Sequence, residues 1–204
     1  MEDIREELKK EPMTALMLIV NVLVFFAVDL SGGSGNIEHM LKCGAAYTPF
    51  ILEDGEWYRI FTSMFLHFGM THLANNMLVL FVLGGRLERT VGKVKFILIY
   101  LLGGAAGNLC SIFFDLKTMD YAVSAGASGA VFAVMGAMIY ILLRRKGRVE
   151  DISARQMVIM AAFSLYFGFT SSGVDNAAHV GGMFSGFMLA LLFYHPRKIR
   201  TSVP

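Results

Sequence analysis

Apolar residues along this chain are gathered into six long runs separated by shorter polar connections. The runs cover approximately residues 13–30, 71–85, 96–114, 125–143, 157–172 and 177–194. A helix that crosses a membrane needs about 20 mostly apolar residues, within a range of about 17–25. The first, third, fourth and sixth runs meet that length, and the second and fifth are somewhat shorter. The pattern predicts an all-α membrane protein with six transmembrane helices.

Composition supports this prediction over a soluble helical bundle. Hydrophobic residues make up 55% of the 204 residues, charged residues only 17%, and the mean hydropathy is +0.58. A soluble domain carries about 25% charged residues, so buried helices of this length would need far more polar surface around them. The first run is longer than the apolar part of a signal peptide, about 7–15 residues, and five further runs follow it.

Lysine and arginine lie in alternate connections, and this distribution predicts the orientation of the spans. The basic groups are Arg5, Lys9 and Lys10 before the first run, Arg86, Arg89, Lys93 and Lys95 after the second, Arg144, Arg145, Lys146 and Arg148 after the fourth, and Arg197, Lys198 and Arg200 after the sixth. Cytoplasmic loops carry the excess of lysine and arginine. Six spans with both termini in the cytoplasm satisfy that rule at every connection. The alternation also supports the second and fifth runs as spans, because leaving out either one would break it.

We therefore expect three parts in the chain. Residues 1–12 form a short cytoplasmic segment, residues 13–195 form one membrane domain, and residues 196–204 form a basic cytoplasmic tail. The short chain, the small loops and the lack of a transit peptide favour a multi-pass protein of a bacterial plasma membrane.

Three polar side chains of catalytic type lie at the outer ends of the even-numbered spans in this topology. They are His72 in the second, Ser128 in the fourth and His179 in the sixth. An ionisable residue inside a span marks a functional site by default. A single histidine near the membrane edge is also compatible with an interfacial position, but two histidines and a serine at one level favour a site.

The fourth and sixth spans carry small residues at every fourth position. These residues are Ala125, Gly129, Ala133 and Ala137 in one span, and Ala178, Gly182, Gly186 and Ala190 in the other. Such stripes allow membrane helices to approach closely. We expect these two helices to pack together and to bring Ser128 within hydrogen-bond reach of His179, about 3 Å.

A serine next to a histidine can form a nucleophile and its general base. Acyl transfer also needs donors for the developing oxyanion. His72 and Asn76 share one helix face because they are four residues apart. The Ser128 N–H begins a helix and is unpaired there. Asp175 precedes His179 by four residues, and we interpret it as a solvated loop residue, so the prediction is a dyad.

Other chemistries have weaker support. His67, His72 and His179 are possible zinc ligands, but the chain has no H-E-x-x-H motif and no carboxylate inside the spans near them. No phosphate-binding loop is present, and the basic residues are too dispersed for a nucleic-acid surface. Cys43 and Cys110 do not suggest a disulfide, because Cys110 lies in a span. We expect no metal, cofactor, nucleotide or nucleic acid.

Several motifs, taken in order, resemble the rhomboid family of intramembrane serine proteases. The sequence Gly126-Ala127-Ser128-Gly129 matches a G-x-S-G motif, and an A-H-x-x-G-x-x-x-G pattern begins at Ala178 and ends at Gly186. A further pattern joins His67, His72 and Asn76. Trp57-Tyr58-Arg59 approaches a Trp-Arg element of the first loop, and Glu88 is similar to a glutamate that follows the second span in that family.

The resemblance implies a six-helix rhomboid core with a Ser128–His179 dyad. It implies an oxyanion site made by the Ser128 N–H, His72 and Asn76, with Gly126, Gly129, Phe132 and His67 in support. The substrates would be single-span membrane proteins cut near the outer end of their helix. The first loop would be partly embedded in the bilayer, and the fifth span with residues 173–176 would be a lateral gate.

Two departures from the family pattern concern aromatic rings. Tyr58 separates Trp57 from Arg59, so either ring is a candidate for the aromatic position of the first loop. Phe132 occupies the position where some members have a tyrosine that stacks on the catalytic histidine, and phenylalanine can also stack.

Three functions remain to be compared. An active serine endopeptidase requires both Ser128 and His179, and both are present. A catalytically inactive relative that binds membrane proteins would be expected to lack one of them. A transporter predicts polar residues at the midplane and repeated halves, whereas the polar cluster here lies at one edge. The sequence favours the protease, and it names neither its substrate nor its oligomeric state.

Overall fold

The computed structural model describes residues 10–171 and 173–195, and that part of the chain is mostly helical. The helices, in chain order, are α1 (Pro12–Gly32), α2 (Ile37–Lys42), α3 (Thr48–Leu52), α4 (Arg59–Thr62), α5 (Met70–Val91), α6 (Lys93–Thr118), α7 (Ser128–Arg144), α8 (Ala154–Thr170) and α9 (Asn176–Phe193). A 3-10 turn, Ser63–Phe65, follows α4. An antiparallel hairpin of two short strands, β1 (Arg148–Val149) and β2 (Ile152–Ser153), lies between α7 and α8.

The expectations for the two ends of the chain fall largely outside this description. Residues 1–9 of the predicted N-terminal segment and the whole predicted tail, residues 196–204, lie outside the described residues. So does Ser172, the predicted last residue of the fifth span.

Six long helices, α1 and α5 to α9, coincide with the six apolar runs, but their ends differ. Helix α5 continues to Val91, beyond the apolar run, and stops at Gly92, whose positive φ of 88° suits the glycine that follows a helix. Helix α7 begins at Ser128 and not at Ala125, because Ser124 is paired with Ala46 in an extended bridge. Hydropathy does not predict these two ends, because the last turn of α5 is charged and the residues before α7 are apolar but extended.

Three helices of the described chain are long and apolar enough to cross a membrane. They are α1 (21 residues, mean hydropathy 2.3), α6 (26 residues, 1.9) and α9 (18 residues, 1.4). Helix α5 adds a fourth only when it is counted together with the segment Arg59–Phe65, from which it is bent by 92°. Helix α7 is apolar but has 17 residues. The six-span topology and its orientation therefore stay predictions.

Helix α7 lies at the centre of the bundle. Residues 129–138 are all buried, and the helix packs against α5, α6, α8 and α9. A helix that is apolar and buried all round belongs in the core of a fold. Ser128 is thus the first residue of the central helix, and its position is set by the four helices that pack against α7.

Helices α7 and α9 touch through their backbones, as the stripes of small residues predict. A Cβ placed on Gly182 would overlap the carbonyl oxygen of Gly129, and one on Gly186 would overlap that of Ala133. Conversely, a Cβ on Gly136 of α7 would overlap the carbonyl oxygen of Met183 of α9. The predicted packing of the two helices is confirmed, and glycine is needed at these positions to permit it.

Glu88 joins the end of α5 to the start of α1. Its side chain is buried, and its carboxylate accepts hydrogen bonds from the backbone N–H groups of Met13 (3.1 Å) and Thr14 (2.7 Å) and from the Thr14 hydroxyl (2.8 Å). These N–H groups lack partners inside the helix, and a negative charge at a helix N-terminus is stabilising. Glu88 therefore caps a helix 74 residues away in sequence.

Ion pairs attach the hairpin to the same end of α5. Arg86 makes two hydrogen bonds to Asp151, at 2.9 and 2.8 Å, and Arg89 makes two to Glu150, at 3.0 and 2.7 Å. Arg89 also pairs with Glu11, just before α1. Paired contacts of this kind have the fork geometry in which arginine binds carboxylates best.

Arg59 organises the first loop between α1 and α5. Its guanidinium is buried, donates to the carbonyls of Leu41 (2.7 Å) and Ala45 (2.9 Å), and pairs with Glu56 (2.5 Å). It also lies 5.4 Å from the centre of the Tyr58 ring. Of the two candidate rings, Tyr58 and not Trp57 therefore packs against Arg59, and the Phe50 ring lies nearer still, at 5.1 Å.

Candidate active site

The segment that leads into Ser128 is held by backbone bonds on both sides. Ser124 exchanges two backbone hydrogen bonds with Ala46, at 2.8 and 2.9 Å. Two residues later, the N–H of Gly126 donates to the carbonyl of Ser63 at 3.0 Å. The first loop therefore fixes the chain up to the point where α7 begins and Ser128 is presented.

His67 completes this support from the first loop. Its side chain is 1% exposed, and Nε2 accepts a hydrogen bond from the N–H of Ala127 at 3.3 Å. Its ring also meets the ring of His72 edge to face, with centroids 5.2 Å apart. His67 thus connects the residue before Ser128 to a second histidine of the site.

His179 lies in the first turn of α9, against the first turn of α7. Its ring stacks on that of Phe132, with centroids 4.3 Å apart and planes inclined by 15°. Phe132 follows Ser128 by one helical turn, so the imidazole lies over the same end of α7 as the hydroxyl. The two first turns are in contact, since a Cβ on Gly129 would lie at ordinary van der Waals distance, 3.6 Å, from the carbonyl oxygen of Ala178.

No hydrogen bond joins Ser128 to the His179 ring in the part of the chain that the structure describes. His179 Nδ1 is buried and has no protein partner among those residues. Hydrogen bonds of catalytic groups are often long before substrate binds and tighten in the complex. The direct bond between the two residues stays a prediction.

His72 and Ser128 lie on either side of Gly126. A Cβ on Gly126 would be 2.7 Å from Cε1 and 2.9 Å from Nε2 of His72, and 3.6 Å from Oγ of Ser128. Any larger residue at position 126 would push into the space between the imidazole and the hydroxyl. Glycine is therefore required here by the close approach of two functional groups.

Asn76 lies one turn after His72 on α5 and is 7% exposed. Its Nδ2 group is buried and donates to no atom of the described residues. A buried amide donor without a partner costs about 1–3 kcal/mol. Such a donor is expected where a ligand or a reaction intermediate supplies the acceptor.

The start of α7 offers further donors. The first intrahelical bond of α7 is donated by Val131 to Ala127, at 2.9 Å. The N–H groups of Ser128, Gly129 and Ala130 precede that bond and have no carbonyl partner within the helix. The helix dipole also favours negative charge at this end. The Ser128 N–H therefore lies where an oxyanion donor is expected and has no acceptor within the helix.

The prediction for Asp175 is wrong. Asp175 is not a solvated loop residue but the N-cap of α9, half-buried, with one oxygen accepting from the N–H of Ala178 at 2.8 Å. The other oxygen accepts from the hydroxyls of Ser111 (2.6 Å) and Ser124 (2.8 Å). An Asp before an apolar run is an N-cap signal, but the two serines lie 64 and 51 residues away in sequence and give no local signal.

Asn108 is a second residue that sequence reasoning missed. It is buried on α6, and its amide donates to the carbonyl of Ile60 (2.7 Å) and the hydroxyl of Ser63 (3.0 Å). It thereby supports the turn whose carbonyl holds Gly126. Among the described residues, no group of three or more His, Cys, Asp or Glu side chains is placed to hold a metal ion.

Comparison with known proteins places this geometry in a family context. A family model described as Rhomboid domain matches residues 54–196. The chain is 36% identical over 188 residues to Rhomboid protease GluP of Bacillus subtilis (strain 168), an alignment that covers 92% of this chain and 36% of that protein. It thus spans about a third of the length of that relative.

Two other relatives are closer to this chain in length. Putative rhomboid protease YdcA of Bacillus subtilis (strain 168) is 33% identical over 147 residues, which is 72% of each protein. Rhomboid protease AarA of Providencia stuartii is 31% identical over 214 aligned positions, covering 93% of this chain and 75% of that protein.

Proposed function

Because the chain belongs to the rhomboid family, we propose that it is an intramembrane serine endopeptidase that cleaves single-span membrane proteins near the outer end of their transmembrane segment. Ser128 is the nucleophile and His179 is the general base. The observation that carries this proposal is the convergence of α5, α7 and α9 at one end of the bundle. There the Phe132–His179 stack and the Gly126 contacts gather a hydroxyl and two imidazoles.

The proposed reaction proceeds in two acyl-transfer steps. His179 takes the proton of the Ser128 hydroxyl as Oγ attacks the scissile carbonyl carbon, and a tetrahedral oxyanion forms. His179 then gives that proton to the leaving amine, and an acyl-enzyme remains on Ser128. Water attacks the ester carbonyl carbon while His179 takes one of its protons. His179 then returns that proton to Oγ as the C–Oγ bond breaks, which releases the second product and restores the serine.

The oxyanion would be held by the Ser128 N–H, His72 and Asn76. The unpartnered Nδ2 of Asn76 and the unpaired N–H groups at the start of α7 support this assignment. Donors that are already fixed and desolvated stabilise charge that develops in the transition state far better than water does. Among the described residues, no carboxylate accepts a hydrogen bond from Nδ1 of His179, so the proposed mechanism uses a dyad.

The topology proposed for this function has six spans with both termini in the cytoplasm of a bacterial cell. Ser128 then lies at the outer end of α7, where water reaches it. Helix α8 and residues 173–176 form the lateral gate for a substrate helix. In support, α8 presents large apolar side chains on its outside, including Tyr166, Phe167 and Phe169, which are 62–67% exposed.

Labelling by a fluorophosphonate tests the proposed nucleophile. The purified protein in detergent should be labelled, and both Ser128→Ala and His179→Ala should lose labelling and also lose cleavage of a reconstituted single-span substrate. Ser31→Ala, which changes an exposed serine that the proposed mechanism does not use, should keep both activities. Full cleavage by Ser128→Ala would refute the dyad.

The alternative function is that of an inactive relative that binds membrane proteins. It predicts that the wild-type chain is neither labelled nor able to cleave any single-span segment, while it still retains such a segment in a pull-down from liposomes. Labelling of the wild type at Ser128 would remove this alternative.

A further inference from the structure

Asp175 is hydrogen-bonded to both segments that lead into the proposed dyad. Ser124, four residues before Ser128, donates its hydroxyl to the Asp175 carboxylate at 2.8 Å. Asp175 is itself four residues before His179, whose N–H donates to the Asp175 carbonyl at 3.2 Å. One carboxylate therefore joins the chain just before the nucleophile to the chain just before the base.

The same carboxylate also reaches a third element. Besides Ser124, it accepts from Ser111 of α6 at 2.6 Å and from the N–H of Ala178 at 2.8 Å. Hydrogen bonds to an ionised acceptor are shorter and about twice as strong as neutral ones. Helix α6, helix α9 and the segment before α7 are thus attached to one another at a single half-buried group.

These bonds add a directional restraint to the glycine contacts between α7 and α9. Backbone contact at Gly129, Gly182 and Gly186 fixes how near the two helices come and which residues meet. Hydrogen bonds weaken steeply when they are misaligned, and those made by Asp175 fix the relative height of the two helices.

We propose that Asp175 is a positioning residue that keeps the imidazole of His179 in register with the Ser128 hydroxyl. The inference rests on the proposed function. Asp175 is not a third member of a triad, since its oxygens accept from Ser111, Ser124 and Ala178 and not from the His179 ring.

Asp175→Asn separates this role from helix capping. Asparagine keeps an oxygen for the Ala178 N–H and is as good an N-cap as aspartate. Its NH2 group cannot accept from the two hydroxyls and can only donate to them, so the charge-assisted bonds are lost. Ser111→Ala/Ser124→Ala removes the donors and leaves Asp175 intact. A misplacement of about 1 Å costs about 10²-fold in rate. We expect both variants to lower kcat and fluorophosphonate labelling by about 10-fold or more, with KM changed less than about twofold.

Combining the two changes provides a test of the shared mechanism. If Asp175 acts through the two serines, then Asp175→Asn/Ser111→Ala/Ser124→Ala should be no slower than the slower of its parents, because interacting residues are not additive. If the fold reduction in kcat of the combined variant equals the product of the reductions in its two parents, the serines and Asp175 act separately, and the proposal is overturned.

Thr14→Val is the matched control for loss of a bond between a hydroxyl and a carboxylate. Thr14 donates to Glu88 at 2.8 Å, and Glu88 lies near the opposite end of α5 from His72. It should lower the Tm about as much as Asp175→Asn does, with labelling within about twofold of wild type. If kcat instead falls in proportion to Tm in both variants, Asp175 is merely structural.

An NMR comparison decides the question even without activity. The ring Cε1–H signal of His179, assigned by its loss in His179→Ala, should shift or broaden in Asp175→Asn and stay in place in Thr14→Val. An unmoved signal overturns the positioning role. A wild-type protein that is neither labelled nor cleaves substrate would refute the proposed function, and the NMR comparison would still test Asp175.

Discussion

The ring of Phe132 lies nearly parallel to the imidazole of His179, with centroids 4.3 Å apart. Phe132 is on the central helix and His179 on the neighbouring one, so the stack is a direct side-chain contact between the two helices that carry the proposed dyad. It restrains the rotation of the imidazole about its side-chain bonds, and the ring remains over the first turn of α7.

Removing the aromatic face at position 132 should slow the reaction without abolishing it. Stacked aromatic pairs contribute about 0.5–1.5 kcal/mol beyond their burial, and 1.36 kcal/mol corresponds to tenfold in rate. Phe132→Leu is therefore expected to lower kcat about 3- to 10-fold. Phe132→Tyr keeps the stack and should remain within about twofold of wild type. A wild-type kcat in Phe132→Leu would show that the contact does not orient the base.

Asn76→Ala tests the oxyanion assignment. Loss of one oxyanion donor costs about 10²–10³ in kcat, and we expect a fall of at least about 10-fold with little change in KM. Asn75→Ala is the matched control, because Asn75 is the neighbouring residue of the same type and is exposed. Equal effects of the two substitutions on kcat would contradict the assignment.

Gly186→Ala should destabilise the fold although alanine is the better helix former. Alanine gains about 1 kcal/mol over glycine in a helix interior. At this position, however, its methyl group would overlap the backbone carbonyl of Ala133, which cannot turn aside as a side chain can. Overpacking of this kind costs about 1–3 kcal/mol, so we expect a lower Tm in detergent. Gly35→Ala, where the added Cβ meets open space, is the control and should leave the Tm unchanged.

The ion pairs of Arg86 and Arg89 with the hairpin, here called the hairpin clasp, should make stability sensitive to acid. A hydrogen bond from Arg89 lowers the pKa of Glu150, and one from Arg86 lowers the pKa of Asp151. A lowered pKa adds stability above the unfolded value, near 4 for a carboxyl group, and that stability is lost as the pH falls through the lower folded value. Glu150→Gln/Asp151→Asn should therefore show a smaller loss of Tm than wild type between pH 6 and pH 3.

The size of this effect is expected to be small, since solvent screens these partly exposed charges. High salt should reduce the difference between wild type and the double variant. Asp54→Asn, on an exposed turn of the first loop, is the control. If it flattens the acid dependence as much as the double variant does, the clasp is not its source.

The helices and the packing of α7 on α9 were predictable because both depend on local spacing. Hydropathy gave the six helices, and the four-residue repeat of small residues, including Gly182 and Gly186, gave the face on which two of them meet. The candidate residues Ser128 and His179 followed from position at helix ends. The approach of His72 to Ser128 on either side of Gly126 is visible only in the fold.

What the sequence did not reveal depends on partners that are distant along the chain. Glu88 caps a helix 74 residues before it, and Asp175 accepts from serines more than 50 residues away. The hairpin between α7 and α8 has strands of two residues, too short for any periodicity. These features depend on how the helices are arranged, and hydropathy alone does not contain that arrangement.

The glycine contacts between α7 and α9 also determine where the chain can change in length. Ser128 and Gly136 lie on one helix, and His179 and Gly186 lie on the other. In each helix, the proposed catalytic residue and the glycine contact are therefore joined by continuous helical backbone. One inserted residue between them would rotate the functional group by about 100° relative to the contact, because a turn takes 3.6 residues. Residues 145–153 carry no such contact, and we expect insertions and deletions among homologues to gather there.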